Sequence, residues 1–195
     1  VLARIDGDPP GTPGISIFIV PKFFVNPDGS LGKRNDITTT GIEHKMGIKG
    51  SATCSLSFGD NDQCIGWLLG EERQGMRIMF QMMNAARLDV AQQALGTASS
   101  AYMHAVTYAK NRLQGSDPAR KGDFTSVPII KHPDVKRMLI WMKAQVEAMR
   151  MLTLLAAYSG DMAHLKKGTD EGKEAQGLLD FLIPLCKAGN SDLAW

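Results

Sequence analysis

The stretch Trp67-Leu68-Leu69-Gly70-Glu71-Glu72-Arg73-Gln74-Gly75-Met76-Arg77-Ile78-Met79-Phe80 is where the chain changes period. On its N-terminal side, short apolar runs alternate with turn residues, as half-buried strands do. On its C-terminal side, Met76, Met79, Phe80, Met83, Val90, Ala94 and Ala101 recur at mostly three- and four-residue spacing. That spacing predicts one long amphipathic helix running to about Arg112. Strands first and helices afterwards make an α+β chain with its boundary near residue 70.

Working back from that boundary, Gly14-Ile15-Ser16-Ile17-Phe18-Ile19-Val20 reads as a strand stopped by Pro21. Asn26-Pro27-Asp28-Gly29-Ser30 carries turn chemistry. Thr53-Cys54-Ser55-Leu56-Ser57-Phe58 alternates, placing Cys54, Leu56 and Phe58 on one face, and Cys64 to Leu69 reads as a further strand. The first 70 residues are expected to form an antiparallel sheet or barrel. Working forward, Gly115-Ser116-Asp117-Pro118 ends the long helix, and a basic loop runs to Lys131. Pro133 suits the first turn of a second helix. There Val135, Met138, Leu139, Met142, Val146 and Met149 form one apolar stripe, while Ile140, Trp141, Ala144, Ala148, Met151 and Leu155 form another. A helix apolar on two sides belongs inside a bundle. Lys166 to Lys173 reads as a solvated connection, and Leu178 begins a third helix that Pro184 is expected to kink.

Composition narrows the class. The 22 Lys and Arg barely exceed the 20 Asp and Glu, so no global field asks for nucleic acid or an anionic membrane. No apolar run approaches the roughly 18 residues of a membrane span. The three cysteines, Cys54, Cys64 and Cys186, make no C-x-x-C pair and read as buried free thiols, which suits a reducing compartment. The four histidines have no metal-ligand spacing, and no phosphate loop, dinucleotide fingerprint or nucleophile elbow is present in the sequence. The apolar ends Val1-Leu2-Ala3 and Leu193-Ala194-Trp195 predict an internal stretch of a longer protein, since free termini are usually polar and loose.

Arg87 breaks a local rule. It falls in the first helix's stripe, four after Met83 and three before Val90, with no acid three or four residues away. Either its stem packs and its head reaches water, or it meets an anion or a carbonyl; the pattern leaves both open. Arg112 and Gln114 sit at the helix end, where a cation also suits the macrodipole. Ser51 and Thr53 offer hydroxyls at an expected strand start, and Lys131-His132-Pro133-Asp134 reads as a helix start.

Taken in order, several segments resemble the flavin-dependent acyl-CoA dehydrogenases over nearly the whole chain. They are Gly14-Ile15-Ser16-Ile17-Phe18-Ile19-Val20-Pro21-Lys22, Lys45-Met46-Gly47-Ile48-Lys49-Gly50-Ser51, Leu69-Gly70-Glu71-Glu72 with Gly75-Met76, Ala86-Arg87 and Tyr108-Ala109-Lys110-Asn111-Arg112. Met82 to Leu88, Arg112-Leu113-Gln114-Gly115 and Lys131 to Leu139 resemble the longer branch, which includes the methylmercaptopropionyl-CoA dehydrogenase-like enzymes.

The resemblance implies a fold and a chemistry. Residues 1–70 would be the C-terminal part of a middle β-domain. Residues 71–195 would be the first helices of a C-terminal four-helix-type bundle, which binds FAD and CoA and makes the oligomer. The implied reaction, in fatty-acid metabolism, converts an acyl-CoA thioester to a trans-2-enoyl-CoA and passes electrons to an electron-transferring flavoprotein. Ser51, Asn84 and Arg87 match substrate-contacting positions, with Asn84 standing where many relatives carry Asp. Arg112, Gln114 and His132 match positions that reach the FAD of a neighbouring subunit, implying a homotetramer or dimer. No acid of the chain matches the family's base. That Glu is expected beyond Trp195, the alternative base position is Ala86, and Glu71, Glu72 and Glu147 match neither. This stretch alone is therefore expected to be inactive, and no metal is implied. The resemblance implies the cytoplasm, or the mitochondrial matrix of a eukaryote. An acyl-CoA oxidase-like enzyme and a non-catalytic helical binding member are the alternatives.

Overall fold

Strand β1 (Leu2–Arg4) lies antiparallel to β2 (Ile15–Ile19), with Leu2 opposite Ile17 and Arg4 opposite Ile15, in a computed structural model that describes residues 1–117 and 119–195. Two further pairs follow: β3 (Phe23–Val25) with β4 (Leu31–Arg34), and β5 (Ile37–Ile42) with β6 (Cys54–Phe58). The short strand β7 (Trp67–Leu68) returns to the free edge of β2. The expected turn closes the β3–β4 hairpin. Asp28 Oδ1 accepts from Ser30 N and Ser30 Oγ, at 3.0 and 2.6 Å, and Gly29 N donates to Asn26 O at 2.9 Å. These strands belong to a compact unit of residues 1–81.

A buried amide holds that unit together. Asn35 is 3% exposed; its Nδ2 donates to Pro21 O (3.0 Å) and Ile65 O (2.8 Å). Its Oδ1 accepts from Ile65 N and Asp36 N, both at 3.0 Å. A second junction fixes the start of the long helix α1 (Gly75–Asn111). Fully buried Ser16 accepts the Arg73 N–H on its hydroxyl at 2.9 Å, where Arg73 has φ +63°. Gly75 then lies so close to β2 that a Cβ would meet the Ser16 carbonyl carbon at 2.5 Å, which only glycine tolerates.

The second unit, residues 82–195, contains most of α1 with α2 (Pro133–Leu165) and α3 (Asp170–Ala194). Pro133 occupies the first turn of α2, as its fixed φ favours. Ala91, Ala156, Leu182 and Cys186 form one core cluster, with Leu88, Leu152 and Leu179 around it; Leu95, Val146 and Met149 form another. Burying Met149 alone, 2% exposed, contributes about 2 kcal/mol.

Several expectations are corrected. The buried stripe of α1 in this unit runs through Leu88, Ala91, Leu95 and Ala98, whereas Met83, Val90 and Ala101 are exposed. Both faces are apolar, and the small Ala91 and Ala98 are what the neighbouring helices can approach. On α2 the first stripe is covered at Val146 and Met149, but Ile140, Trp141, Met151 and Leu155 of the second are exposed. Helix α3 starts at Asp170, eight residues before Leu178. Thr169 Oγ1 caps it by accepting from Gly172 N at 3.1 Å, with Asp170 and Glu171 favourable to the dipole. Helix α1 ends at Asn111, and strands β8 (Leu113–Ser116) and β9 (Ser126–Pro128) pair where a loop was expected; Pro118 lies outside the described residues. Of the thiols only Cys186 is buried. Cys54 is exposed on β6, and Cys64 is half-buried outside any strand.

Candidate functional site

The end of α1 brings three of the expected residues together. Arg112 N closes the last helical turn on Tyr108 O, and Arg112 O accepts from Ile129 N, both at 2.8 Å. That second bond seats the short β8–β9 hairpin against the turn that leads into α2. His132, at the N-cap of α2, then approaches Gln114, with its Nε2 2.7 Å from Gln114 O. A carbonyl oxygen only accepts, so Nε2 carries the proton and Nδ1 is left for another partner. Gly115 takes φ +67°, a conformation that favours glycine, and its backbone lies beside the ring, where a Cβ would be in van der Waals contact with His132 Cε1 at 3.4 Å. Arg112 and Gln114 are exposed and His132 is half-buried. The Arg112 guanidinium fork and the Gln114 amide carry donors suited to a diphosphate, while His132 Nδ1, its proton being on Nε2, offers an acceptor to a hydroxyl or amino group.

Asn84 and Arg87 form a second cluster on α1. The Arg87 guanidinium donates through Nη1 to Asn84 Oδ1 at 3.1 Å, and both residues are half-buried. Among the described residues Arg87 makes no ion pair. Its partner is a neutral amide, so the positive charge stays uncompensated while the group is aimed and partly desolvated. Such a group binds carbonyl oxygen or an anion more strongly than one already paired with a carboxylate. Roughly 36 Å of helix separates Arg87 from Asn111, at 1.5 Å per residue. The two clusters therefore stand too far apart to meet one chemical group.

Ser51, in the first unit, lies in an exposed turn rather than at the start of a strand; β6 begins three residues later. Ser51 N donates to Ile48 O at 3.2 Å, Ile48 takes φ +50°, and Lys45 Nζ donates to Ser51 O. The backbone is thus occupied and the hydroxyl is presented outward. An open cleft of about 770 Å³ in the same unit, which sequence reasoning did not identify, is lined by Lys33, Arg34, Asp36 and Gln63 among others. Asp36 accepts from Asn61 N (2.7 Å), Asn61 Nδ2 (3.0 Å) and Gln63 N (3.3 Å), and these bonds hold its carboxyl below the ordinary value of 3.8. Three of its roughly four lone-pair sites are engaged within the protein. Among the described residues no three His, Cys, Asp or Glu side chains are placed to hold a metal, and no helix is long and apolar enough to cross a membrane.

Comparison with known proteins bears on the chain as a whole. Residues 73–178 match the family described as acyl-CoA dehydrogenase, C-terminal domain. A butyryl-CoA dehydrogenase of Syntrophomonas wolfei is 48% identical over an alignment that covers 100% of this chain and 33% of that protein. The 3-methylmercaptopropionyl-CoA dehydrogenase of Ruegeria pomeroyi is 40% identical, covering 96% of this chain and 31% of its own. Among solved structures, butyryl-CoA dehydrogenase from Megasphaera elsdenii matches with a TM-score of 0.65 at 29% identity, over 100% of this chain and 44% of that one. The chain spans about a third of the length of these curated relatives. With a matched segment that spans residues 73–178, more than half of its length, the chain belongs to the acyl-CoA dehydrogenase family.

Proposed function

We propose that the chain is part of an FAD-dependent acyl-CoA dehydrogenase, which removes the α-proton and the β-hydride of an acyl-CoA thioester and leaves a trans-2-enoyl-CoA. The electrons pass on to an electron-transferring flavoprotein. In this reading residues 1–70 complete a middle β-domain and residues 71–195 open the C-terminal helical domain. The observation that carries it is the Asn84–Arg87 pair, a half-buried guanidinium held by a neutral amide at 3.1 Å and left with donors to spare.

Arg87 donates to the carbonyl or pantetheine oxygens of the substrate, Asn84 fixes its direction, and the outward Ser51 hydroxyl contacts CoA. Arg112 and Gln114 hold the diphosphate of FAD bound largely by a neighbouring subunit, and Nδ1 of His132 accepts from a hydroxyl or amino group of its adenosine, which makes the protein a homotetramer or dimer. Bound FAD supplies the acceptor for the hydride. None of the chain's own acids is assigned as the base. The reading places the protein in the cytoplasm, or in the mitochondrial matrix of a eukaryote.

The test uses the complete, flavin-replete protein and a panel of acyl-CoAs with an artificial electron acceptor. Enoyl-CoA formation is expected, with KM raised at least tenfold by Arg87→Ala, the loss of about one charge-assisted hydrogen bond. Absence of enoyl-CoA from every chain length overturns the proposal.

A further inference from the structure

Within the helical unit a polar side chain is buried where an apolar one would ordinarily sit. Asn190 of α3 is 1% exposed. Its Nδ2 donates to Ala91 O of α1 at 3.2 Å and to Thr153 Oγ1 of α2 at 2.9 Å. Thr153, 7% exposed, donates its own hydroxyl proton to Met149 O at 2.8 Å, which turns the hydroxyl oxygen towards Asn190 as an acceptor. One amide thus ties all three helices at one level. Both of its N–H groups are used, and the cost of leaving either unpaired in a low-dielectric core is large.

The apolar contacts around it leave the height of α1 weakly defined. Ala91 and Ala156, both fully buried, present small surfaces on which a helix can slide. A slip of α1 by a single residue moves it about 1.5 Å along its axis and breaks the bond to Ala91 O. Ala91 lies one turn beyond Arg87, and Asn84 lies one turn before it, on the same unbroken helix. The level set at Ala91 is therefore carried to the Asn84–Arg87 pair through backbone hydrogen bonds. Asn190 itself lies outside the segment, residues 73–178, matched by the family.

We propose that Asn190 and Thr153 are positioning residues for substrate binding, setting the height of α1 so that the Arg87 guanidinium meets the acyl-CoA. This rests on the reading that Arg87 contacts the substrate. The test is made on the complete, flavin-replete protein with saturating artificial acceptor. Thr153→Val keeps the side-chain volume and removes the hydroxyl, so KM for acyl-CoA rises about fivefold, a typical effect of a residue outside the site, while kcat changes little. Thr153→Ser loses a buried methyl but keeps the hydroxyl, and KM stays at the parent value. A role in packing alone predicts the reverse order, with Ser the more damaging.

The double variant Thr153→Val with Arg87→Ala separates the two layers of the argument. If Thr153 acts through Arg87, the added valine leaves KM where Arg87→Ala alone put it. A full fivefold effect on top of Arg87→Ala overturns the positioning role and leaves the substrate contact standing. An unchanged KM in Arg87→Ala overturns the contact, and the positioning role with it. Equal KM values for the Val and Ser variants also overturn the positioning role.

Discussion

Replacing Asn35 by alanine should loosen the strand unit more than any exposed substitution there. The wild-type side chain makes four hydrogen bonds of 2.8–3.0 Å, two donated to Pro21 O and Ile65 O and two accepted from Ile65 N and Asp36 N. At about 1 kcal/mol net for each bond the loss is near 4 kcal/mol. Asn35 also lines the open cleft, so water can reach some of the orphaned groups, which brings the expected cost to about 2–3 kcal/mol. Asn35→Asp sharpens the argument, because it is isosteric and retains the acceptor for Ile65 N and Asp36 N. Its second oxygen faces the carbonyls of Pro21 and Ile65, which cannot donate to it. A carboxylate is repelled there and a carboxylic acid can donate one bond, so Asn35→Asp should gain stability relative to Asn35→Ala as pH falls. Hydrogen exchange at the β2 and β5 amides, with urea unfolding as the second measure, reads both variants. A loss below about 0.5 kcal/mol for Asn35→Ala, the range of ordinary surface changes, refutes the pinning role. So does a pH-independent difference between the two variants.

Two further outcomes follow from titratable groups. The Asn61 backbone N–H, followed by its side-chain amide and Gln63 N, depresses the Asp36 carboxyl below 3.8. A depressed folded-state value gives stability that is full above the unfolded value and is lost as pH falls through the folded one. Asp36→Asn should therefore flatten the acid limb of the stability profile below about pH 4, measured by urea midpoints; an unchanged limb refutes it. Burial pushes the Cys186 thiol up, whereas Cys54 is exposed. A neutral disulfide reagent should modify Cys54 at once and Cys186 only as the helical unit opens. Equal rates in the folded protein would contradict the helical core as described.

The parts of the fold legible in the sequence were those with long local signals. Helix α1 keeps one period over 37 residues and α2 opens on a proline, so both could be placed from spacing. Which face of α1 is buried could not, because Val90 and Ala91 are neighbours on two apolar faces, and bulk favours the first while close approach selects the second. Thr169 with Asp170 and Glu171 was a readable cap, masked by two glycines and the lysines around it. The pairing of β8 with β9 sets Leu113 opposite Pro128 and Ser116 opposite Ser126, residues with no shared local pattern. The site divides in the same way. Arg87 was visible as a cation among apolar positions, and its partner lies three residues back on the same helix, so that cluster follows from helical geometry. His132 and Gln114 meet through a backbone carbonyl, and a carbonyl carries no residue identity that a motif could record. Asn35 and Asn190 mark the limit. A buried amide has no periodicity, since its value lies in joining segments 14, 30, 37 or 99 residues apart, and it becomes recognisable only once those segments have been placed.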